Sequence, residues 1–398
     1  MPKTLNDVCE FIVDCLHSTA PTQPEGFPLI RTPNVGRGRL VLDDVYYVSE
    51  ETYRIWTQRA VPEPNDLILA REAPAGNVAI IKDGQTVCLG QRTVHLRPNS
   101  EIVDPDFLCY LLLSPVHQAL LLSAETGATA KHVNMKDIRK LPLMYLPELD
   151  TQRRIGSILS AYDDLIENNR RRIELLERAA RLLYKEWFVH FRFPGHEHVK
   201  IVDGVPEGWI KTTAYEAMEI LSGGTPKTSV PEYWEGDIPF YTPKDSSDSV
   251  YVYETEKKLT EEGLRNCNSK LYPKDTVFIT ARGTVGKINL AQVPMAMNQS
   301  CYALVARSPL NQYFLYFALV HGVQQFKSRA SGSVFDAIVR DTFKLIPFAV
   351  PNDWLVNAFT SYVEPLLRQI ENLSTQNQKL KLARDLLLPR LMNGEIAI

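Results

Sequence analysis

Two stretches of the chain repeat apolar positions at alternating spacings of four and three residues. The first repeat comprises Ile155, Leu159, Tyr162, Ile166, Asn169, Ile173, Leu176, Ala180, Leu183 and Trp187. The second comprises Leu355, Phe359, Tyr362, Leu366, Gln369, Leu373, Gln376, Leu380, Ala383 and Leu387. This alternation is typical of a coiled-coil seam and predicts two helices of about 33 residues. Either stripe alone could be ordinary core, but two matched stripes favour pairing with each other.

Polar residues lie near the middle of each repeat, Asn169 in the first and Gln369 and Gln376 in the second. A buried polar pair can fix the register of paired helices at some cost in stability. Pro365 lies within the second repeat, and proline removes a helical hydrogen bond. It predicts a bend or a late start for the second helix.

Outside these repeats the pattern is mixed α/β. Short β-type runs at 66–70, 77–81, 276–280 and 287–290 lie between glycine, proline and asparagine turns. Apolar periodicity predicts helices at 108–122 and 313–326.

The two halves of the chain resemble each other. Residues 127–142 match residues 332–347 at an offset of 205, with glycine, proline and several apolar positions in common. Further pairs at offsets of 204 to 210 are Ile166 with Ile370, Thr32 with Thr242, Gln91 with Gln299, and Gly76 with Gly286. The period is too long for a solenoid, whose units run to roughly 50 residues at most. It indicates a duplicated domain.

The duplication predicts an α+β protein with two similar mixed α/β domains. An antiparallel pair of long coiled-coil helices separates the domains, and an internal pseudo-twofold repeat relates them. The predicted segments are a first domain at 1–150, a central helix at 151–192, a linker at 193–209, a second domain at 210–350 and a closing helix at 351–398.

Composition narrows the class of protein. A chain of 398 residues has room for two cores, and no apolar run approaches the 18 residues of a membrane span. The first ten residues carry no secretory pattern, which predicts a cytoplasmic protein. The net charge of −3 argues against a protein that coats nucleic acid by bulk charge. A DNA reader would have to concentrate positive groups locally or borrow charge from partners.

Several loops carry groups suited to contact DNA. The turn from Arg282 through Thr284 to Lys287 carries two glycines between cations, which lets backbone approach phosphate. Thr225, Lys227 and Lys244 lie on a second pair of loops. A plain hairpin with solvated charges, or a plain surface role, is the alternative for these groups.

Further candidates carry amide, guanidinium, hydroxyl or ammonium groups that can hydrogen-bond to base edges. They are Gln299, Ser300, Gln91, Arg92 and Arg71, with Thr129, Lys131 and Ser333 in the matched glycine segments. Hydrogen bonding inside the domain is the alternative for the glutamines.

Catalytic and metal-binding patterns are absent from the sequence. No amino-methylation phrase, Walker loop or dinucleotide-binding loop occurs. His190, His196, Glu197 and His198 could suggest a metal, but they lie in or beside the turn-rich linker and are interpreted as solvated.

Three phrases carry a family resemblance. They are Gly-Val-Pro-Glu-Gly-Trp at 204–209, Ser-Gly-Gly-Thr-Pro-Lys-Thr at 222–228, and Arg-Asp-Leu-Leu-Leu-Pro-Arg-Leu-Met-Asn-Gly-Glu at 384–395. With the arrangement of domains and helices, they make nearly the whole chain resemble the specificity subunit of a type I restriction-modification system. The first copy departs from the pattern, having Ser-Thr-Ala-Pro-Thr at 18–22 in place of the glycine-rich phrase.

The resemblance implies two target-recognition domains that read two half-sites of double-stranded DNA on either side of an unread spacer. It implies a non-catalytic chain that binds no cofactor and directs two adenine-N6 methyltransferase subunits and ATP-dependent endonuclease/translocase subunits. S-adenosylmethionine, ATP and Mg²⁺ would be bound by those partners. The predicted partner-docking residues on the helices are Ile155, Leu159, Ile166, Ile173, Leu176, Leu366, Leu373, Leu380 and Leu387.

A coiled-coil scaffold whose duplicated domains bind proteins is the alternative function. Truncation after Val350 tests the docking role of the closing helix. The DNA-reading function predicts that this truncation loses partner assembly while both reading domains stay folded.

Overall fold

The computed structural model describes residues 2–126, 131–329 and 337–396. The chain divides into two compact units. Unit 1 comprises Met1–Asn169 and Thr375–Ile398, and unit 2 comprises Arg170–Ser374. Each unit takes about half of each of the two long helices. The boundaries between the units therefore lie within the helices and not at the ends of the predicted domains.

Unit 1 contains two main sheets within its described residues. Its strands are β1 (Cys9–Asp14), β2 (Phe27–Ile30), β3 (Gly38–Arg39), β4 (Tyr46–Val48), β5 (Leu67–Ala70), β6 (Val78–Ile80), β7 (Cys88–Leu89), β8 (Thr93–Pro98), β9 (Glu125–Thr126) and β10 (His132–Val133). The larger sheet has the order β1-β8-β5-β6-β3, with only the β6–β3 pair parallel. In the smaller sheet β2 lies between antiparallel β4 and parallel β7.

Unit 2 repeats this arrangement. Its strands are β11 (Ile201–Val202), β12 (Val205–Pro206), β13 (Ile210–Thr213), β14 (Met218–Ser222), β15 (Trp234–Tyr241), β16 (Tyr251–Val252), β17 (Lys257–Leu259), β18 (Val277–Thr280), β19 (Ile288–Ala291), β20 (Ala296–Met297), β21 (Cys301–Ala306) and β22 (Pro347–Val350). The larger sheet has the order β14-β21-β18-β19-β16, again with one parallel pair at the end. The smaller sheet places β15 between antiparallel β17 and parallel β20.

The two larger sheets also share their register. In unit 1 Leu67 pairs with Leu96 on one side and Ile80 on the other. In unit 2 Val277 pairs with Leu304 and Leu290 in the same way. The duplication predicted from the sequence is therefore a duplication of topology and of pairing register.

The predicted β-type runs form the central strands. Every residue of β5, β6, β18 and β19 is buried. Strands covered on both faces have continuous apolar sequences, which explains why these runs stood out as short apolar blocks.

The helices are α1 (Glu50–Trp56), α2 (Pro105–Leu113), α3 (Pro115–Ser123), α4 (Met135–Arg139), α5 (Leu149–Tyr184), α6 (Ala214–Ala217), α7 (Glu261–Arg265), α8 (Gln312–Arg329) and α9 (Asp353–Met392). A π-helical turn at Lys185–Val189 extends α5. Among the described residues no single helix is long and apolar enough to span a membrane, and only the bent pair α2 and α3 meets that criterion jointly.

The helix predicted at 108–122 is two helices. Ser114 has extended backbone, with φ −65° and ψ 150°, and separates α2 from α3, which are bent by 66°. Pro115 explains the break, because proline restricts the residue before it to extended conformations. The helix predicted at 313–326 is confirmed as α8.

The first predicted seam is confirmed, because all ten of its positions are buried or half-buried in α5 and the turn that follows it. The second is displaced by one residue over much of α9. Tyr362, Gln369 and Gln376 are exposed, whereas their neighbours Val363 and Ile370 are buried. From Phe359 the buried apolar positions Val363, Leu367, Ile370 and Leu373 step by four, four, three and three, so the mean spacing is that of a heptad but the order of the steps differs from the predicted alternation.

The polar pair between the helices is accordingly Asn169 with Asn377, not with Gln376. Asn169 Nδ2 donates to Asn377 Oδ1 at 3.0 Å, and Asn377 Nδ2 donates to the Ile166 carbonyl at 3.3 Å. Farther along, Asp163 of α5 forms a buried ion pair with Arg384 of α9. Residue numbers rise on one helix as they fall on the other, so the helices run antiparallel within unit 1.

Pro365 does not delay the second helix. α9 begins at Asp353 and continues through Pro365 to Met392. The carbonyl that loses its helical donor belongs to Ser361, which is exposed and therefore available to water.

Candidate nucleic-acid interface

Four loops of unit 2 meet at one edge of its sheets. The Thr225 hydroxyl donates to the side-chain oxygen of Gln299, which joins the loop after β14 to the loop before β21. The Thr284 hydroxyl donates to the Pro243 carbonyl at 3.1 Å, which joins the β18–β19 turn to the loop after β15. The structure therefore brings together groups that are about 75 residues apart in the sequence.

Arg282 lies in the exposed turn between β18 and β19. Its backbone N–H donates to the Ser300 carbonyl at 3.3 Å, but its exposed side chain has no hydrogen bond or ion pair with any described residue. Gly283 and Gly286 have φ angles of 78° and 79°, a left-handed conformation that glycine adopts without strain. The turn presents a free guanidinium beside accessible backbone, which suits contact with phosphate.

The lysines of this edge differ in their partners. Lys287 forms an ion pair with Asp248, and Lys244 lies 3.8 Å from Glu256. Both carboxylates are well exposed, and exposed ion pairs are worth about 1 kcal/mol or less. Lys227 is exposed and has no side-chain partner among the described residues. An approaching phosphate can therefore replace Asp248 beside Lys287, or Glu256 beside Lys244, at little cost in free energy.

Unit 1 has the same edge. Gln91 Nε2 donates to the Thr19 hydroxyl at 3.2 Å, which matches the contact between Thr225 and Gln299. The Thr32 hydroxyl donates to the Ala73 carbonyl at 3.3 Å, joining the loop after β2 to the loop after β5. A threonine–glutamine contact is therefore present in both units, with the glutamine as donor in unit 1 and as acceptor in unit 2, although the glycine-rich phrase is missing from unit 1.

The cations of unit 1 lie beside these contacts. Arg92 is half exposed and pairs with Glu72, with 3.3 Å between Nε and the carboxylate oxygen. The backbone N–H of Arg71 donates to the Arg92 carbonyl at 3.1 Å, and Arg71 Nε is buried without a partner among the described residues. Lys131 is exposed. Thr129 and Ser333, two other predicted contacts, lie outside the described residues.

Comparison with known proteins agrees with this duplicated arrangement. The sequence model of the family described as "Type I restriction modification DNA specificity domain" matches residues 1–178 and 206–382. The chain belongs to this specificity family. The two matched segments coincide with the two copies of the repeat.

Named relatives support the assignment to the specificity family. The MjaIX specificity subunit of Methanocaldococcus jannaschii is 26% identical, over 88% of this chain and 82% of the relative. The HindI specificity subunit of Haemophilus influenzae is 25% identical, over 83% of this chain and 86% of the relative. A crystal structure of a type I S subunit from M. genitalium has a TM-score of 0.64 at 18% identity, covering 98% of this chain and 95% of that one. The last comparison concerns the fold.

Arg31, next to Thr32 at the edge of unit 1, is a further candidate residue that the sequence did not reveal. Its guanidinium lies 3.8 Å from the centre of the Tyr46 ring, and its Nε is buried without a partner among the described residues. It precedes Thr32, where the second copy has Tyr241 before Thr242. The sequence did contain a signal for Arg31: the first copy has a cation at the position where the second copy has the buried Tyr241.

The predicted docking residues mostly line the contact between the two helices. Ile155, Leu159 and Leu373 are 4% exposed or less, so the prediction that they dock a partner was wrong. They fill contacts within the chain and are not accessible to a second protein. The remaining predicted docking residues are half-buried: Ile166, Ile173, Leu176, Leu366, Leu380 and Leu387.

Other apolar side chains of the long helices are exposed in this specificity-family chain. Half or more of each side chain is accessible in Leu165, Leu175 and Leu182 of α5 and in Leu382 and Leu386 of α9. The heptad pattern did not single out these leucines, because they lie outside the predicted seams.

Within the described ranges there is no group of three or more histidine, cysteine, aspartate or glutamate side chains that could hold a metal ion. The linker side chains His196, Glu197 and His198 are 45% to 84% exposed. They contact one another, the Phe193 carbonyl and, through His196, the Phe193 ring, and their exposure agrees with their interpretation as solvated.

Proposed function

We propose that this chain reads DNA sequence for a type I restriction-modification complex. Each unit contacts one part of a bipartite target with its loop edge, and the DNA between the two parts is not read. One observation carries the proposal. Both units place a threonine–glutamine contact and exposed or half-exposed cations at the same edge of the same duplicated sheet.

The chemistry of this edge suits a DNA reader. Glutamine can pair with adenine through two hydrogen bonds, and arginine with guanine. The threonine hydroxyls orient the glutamines, and orientation lowers the entropy lost on binding. Arg282, Lys227 and Lys131 supply the positive charge that phosphate requires. A net charge of −3 then restricts this attraction to the edges.

The partners follow from the family. We propose two subunits that methylate adenine N6 with S-adenosylmethionine and further subunits that use ATP and Mg²⁺ to translocate and cut DNA. This chain contributes recognition and performs no reaction itself. Its own residues bind neither S-adenosylmethionine nor ATP.

The exposed leucines of α5 and α9 are the proposed contact with the methyltransferase subunits. A leucine that is half exposed on a helix leaves apolar area in water, and covering that area is favourable by about 25 cal/mol per Å². Ile155, Leu159 and Leu373 of the seams cannot serve this role, because they are buried within the chain.

Methylation mapping tests the proposed function. The full chain is co-expressed with its methyltransferase partner in a host that lacks adenine methylation, and methylated adenines are located by sequencing. We expect one bipartite motif with a fixed spacer, and no motif when this chain is omitted. Methylation without this chain at the same motif would contradict the proposal. Partner assembly without any DNA preference would support the protein scaffold instead.

A further inference from the structure

A backbone hydrogen bond at the candidate interface occurs at the same place in both units, but the side chains beside it differ between the units. In unit 1 the Arg71 N–H donates to the Arg92 carbonyl at 3.1 Å, and in unit 2 the Ala281 N–H donates to the Ser300 carbonyl at 2.8 Å. Arg92 therefore corresponds to Ser300. The residue after Arg71 is Glu72, which corresponds to Arg282. Each unit has one arginine at this pair of positions, on opposite loops.

The arginine of unit 1 is held in place. Its Nε lies 3.3 Å from Oε1 of Glu72, whose side chain is only 16% exposed. Arg92 also has a φ of 71°, a left-handed conformation that costs free energy for a residue with a side chain. A strained backbone of this kind is often retained where it aims a functional group.

The arginine of unit 2 is not held. Arg282 is exposed and has no side-chain partner among the described residues. Gly283 and Gly286 take the left-handed positions of its turn, so the arginine itself is not strained. A mobile guanidinium on an exposed turn can follow a phosphate but must lose side-chain entropy to recognise one base.

A held guanidinium has a different capability. An ion pair through Nε leaves the two Nη groups of Arg92 available, and these form a flat pair of donors. That pair matches O6 and N7 of guanine in the major groove. The carboxylate of Glu72 keeps the donors in one plane before DNA arrives, so less entropy is lost on binding. Gln91 is likewise held beside Arg92 by its contact with Thr19.

We propose that Arg92, oriented by Glu72, reads a guanine in the part of the target that unit 1 contacts, whereas Arg282 of unit 2 contacts phosphate. Glu72 is a positioning residue and does not touch DNA. The inference rests on the proposed DNA-reading function and adds the base, the reading side chain and a difference between the units.

Base preference of the full chain in complex with its methyltransferase partner tests the inference. Arg92→Ala should lower the preference for guanine at one position of one half-site by about 10- to 100-fold. Glu72→Gln should relax the same position to a smaller degree. Arg92→Lys keeps the charge but lacks the flat fork, so it should also relax that position. Thermal unfolding of each variant checks that the fold is retained.

Arg282→Ala is the matched control. It should leave the methylated motif unchanged, weaken binding to every sequence alike, and reduce the slope of log affinity against log salt by about one. Fluorescence anisotropy with labelled duplexes at several salt concentrations measures the affinity and its salt slope, and methylation mapping reports the motif.

The outcomes separate the two proposals. Absence of any motif with the wild-type chain would reject the DNA-reading function, and this inference with it. A wild-type motif that Arg92→Ala leaves unchanged while lowering methylation everywhere would overturn the inference alone. So would a Glu72→Gln variant that melts earlier but keeps its full guanine preference.

Discussion

His117 shows, at the scale of a single residue, how burial sets a protonation state. Its side chain is 2% exposed, and its Nε2 accepts a hydrogen bond from the Met144 N–H at 3.2 Å. Nδ1 can then donate to the Ser114 hydroxyl, 2.9 Å away, which in turn donates to the Leu111 carbonyl. Burial lowers the pKa of His117 to about 4, so the ring stays neutral in the folded protein.

This depressed pKa makes stability depend on pH. In the unfolded chain a histidine titrates near pH 6.5, so between about pH 6.5 and 4 the unfolded state binds more protons. The contribution of His117 is therefore complete above pH 6.5 and is lost as pH falls toward 4, by up to about 3 kcal/mol. Urea unfolding from pH 7.5 to 4.5 measures the loss, and His117→Gln should flatten it. An equal slope in both proteins would contradict the prediction.

The ion pair between Asp163 and Arg384 is the most buried contact of charged groups between the long helices in unit 1. The side chains are 5% and 9% exposed, and the Tyr110 hydroxyl donates to Asp163 Oδ2 at 2.5 Å. Burial, together with the charge of Asp163, raises the pKa of Tyr110 well above its ordinary value, so it remains a donor.

Removing one member of this pair should be costly. Arg384→Met leaves the Asp163 charge buried and should lower the free energy of unfolding by about 3 to 5 kcal/mol. Arg265→Met in unit 2 is the control, since Arg265 and its partner Glu261 are 75% and 80% exposed and the loss of this pair should cost about 1 kcal/mol or less. Urea titration of the full chain compares them. Equal losses would show that burial does not distinguish the two pairs.

At the scale of elements, the two long helices divide their apolar residues between two roles. The inward residues pack in the hydrophobic cores of the units, and the outward leucines remain exposed. The heptad pattern predicted the inward face of α5 because all ten predicted seam positions of that repeat are buried or half-buried. It placed α9 one residue out because the first part of that helix also packs against α8 and the sheet of unit 2. A helix with several neighbours buries side chains beside the predicted seam as well as on it.

The exposed leucines of α9 provide an element-scale test of docking. Leu382→Glu with Leu386→Glu should leave the circular dichroism spectrum and melting unchanged, because both side chains are more than 60% exposed. Co-purification with the methyltransferase subunit should weaken by about tenfold or more, because charged groups cannot fill an apolar contact. Leu345→Glu, which changes a leucine that is 69% exposed outside the helices, is the matched control. Equal co-purification of both variants would place the contact elsewhere.

At the scale of the whole molecule, α9 is part of both cores. Leu355, Val356 and Phe359 are fully buried in unit 2, and Leu388 and Leu391 are buried in unit 1. These buried side chains argue against the expectation that both domains stay folded after truncation after Val350. The sequence pattern identified the helix but did not show that globular cores depend on it.

Truncation after Val350 should abolish cooperative unfolding of both units. Each unit loses several fully buried apolar side chains, and each such loss costs about 2 to 5 kcal/mol, against a total stability of about 5 to 15 kcal/mol. Thermal melting and limited proteolysis measure the result. A peptide of residues 351–396 added in excess should restore protection, whereas two sharp melting transitions in the truncated chain alone would contradict this account.

The candidate interface was partly predictable. Matching the two copies located Gln91, Gln299 and the turn at Arg282, because insertions between the copies are small. It did not identify Arg31, Thr19 or Glu72, since their importance depends on contacts between loops about 15 to 72 residues apart. Hydrogen bonds of that range leave no periodic trace in the sequence.

The amino-acid sequence by itself determined the duplication, the buried central strands and the presence of two long helices. These features depend on local periodicity and on repetition, both of which are properties of the linear chain. Only the tertiary structure decided that Asn169 meets Asn377, that α9 completes both cores, and that Glu72 holds Arg92. Those contacts depend on helix phase and loop geometry, and a shift of one residue turns a helical side chain by about 100°.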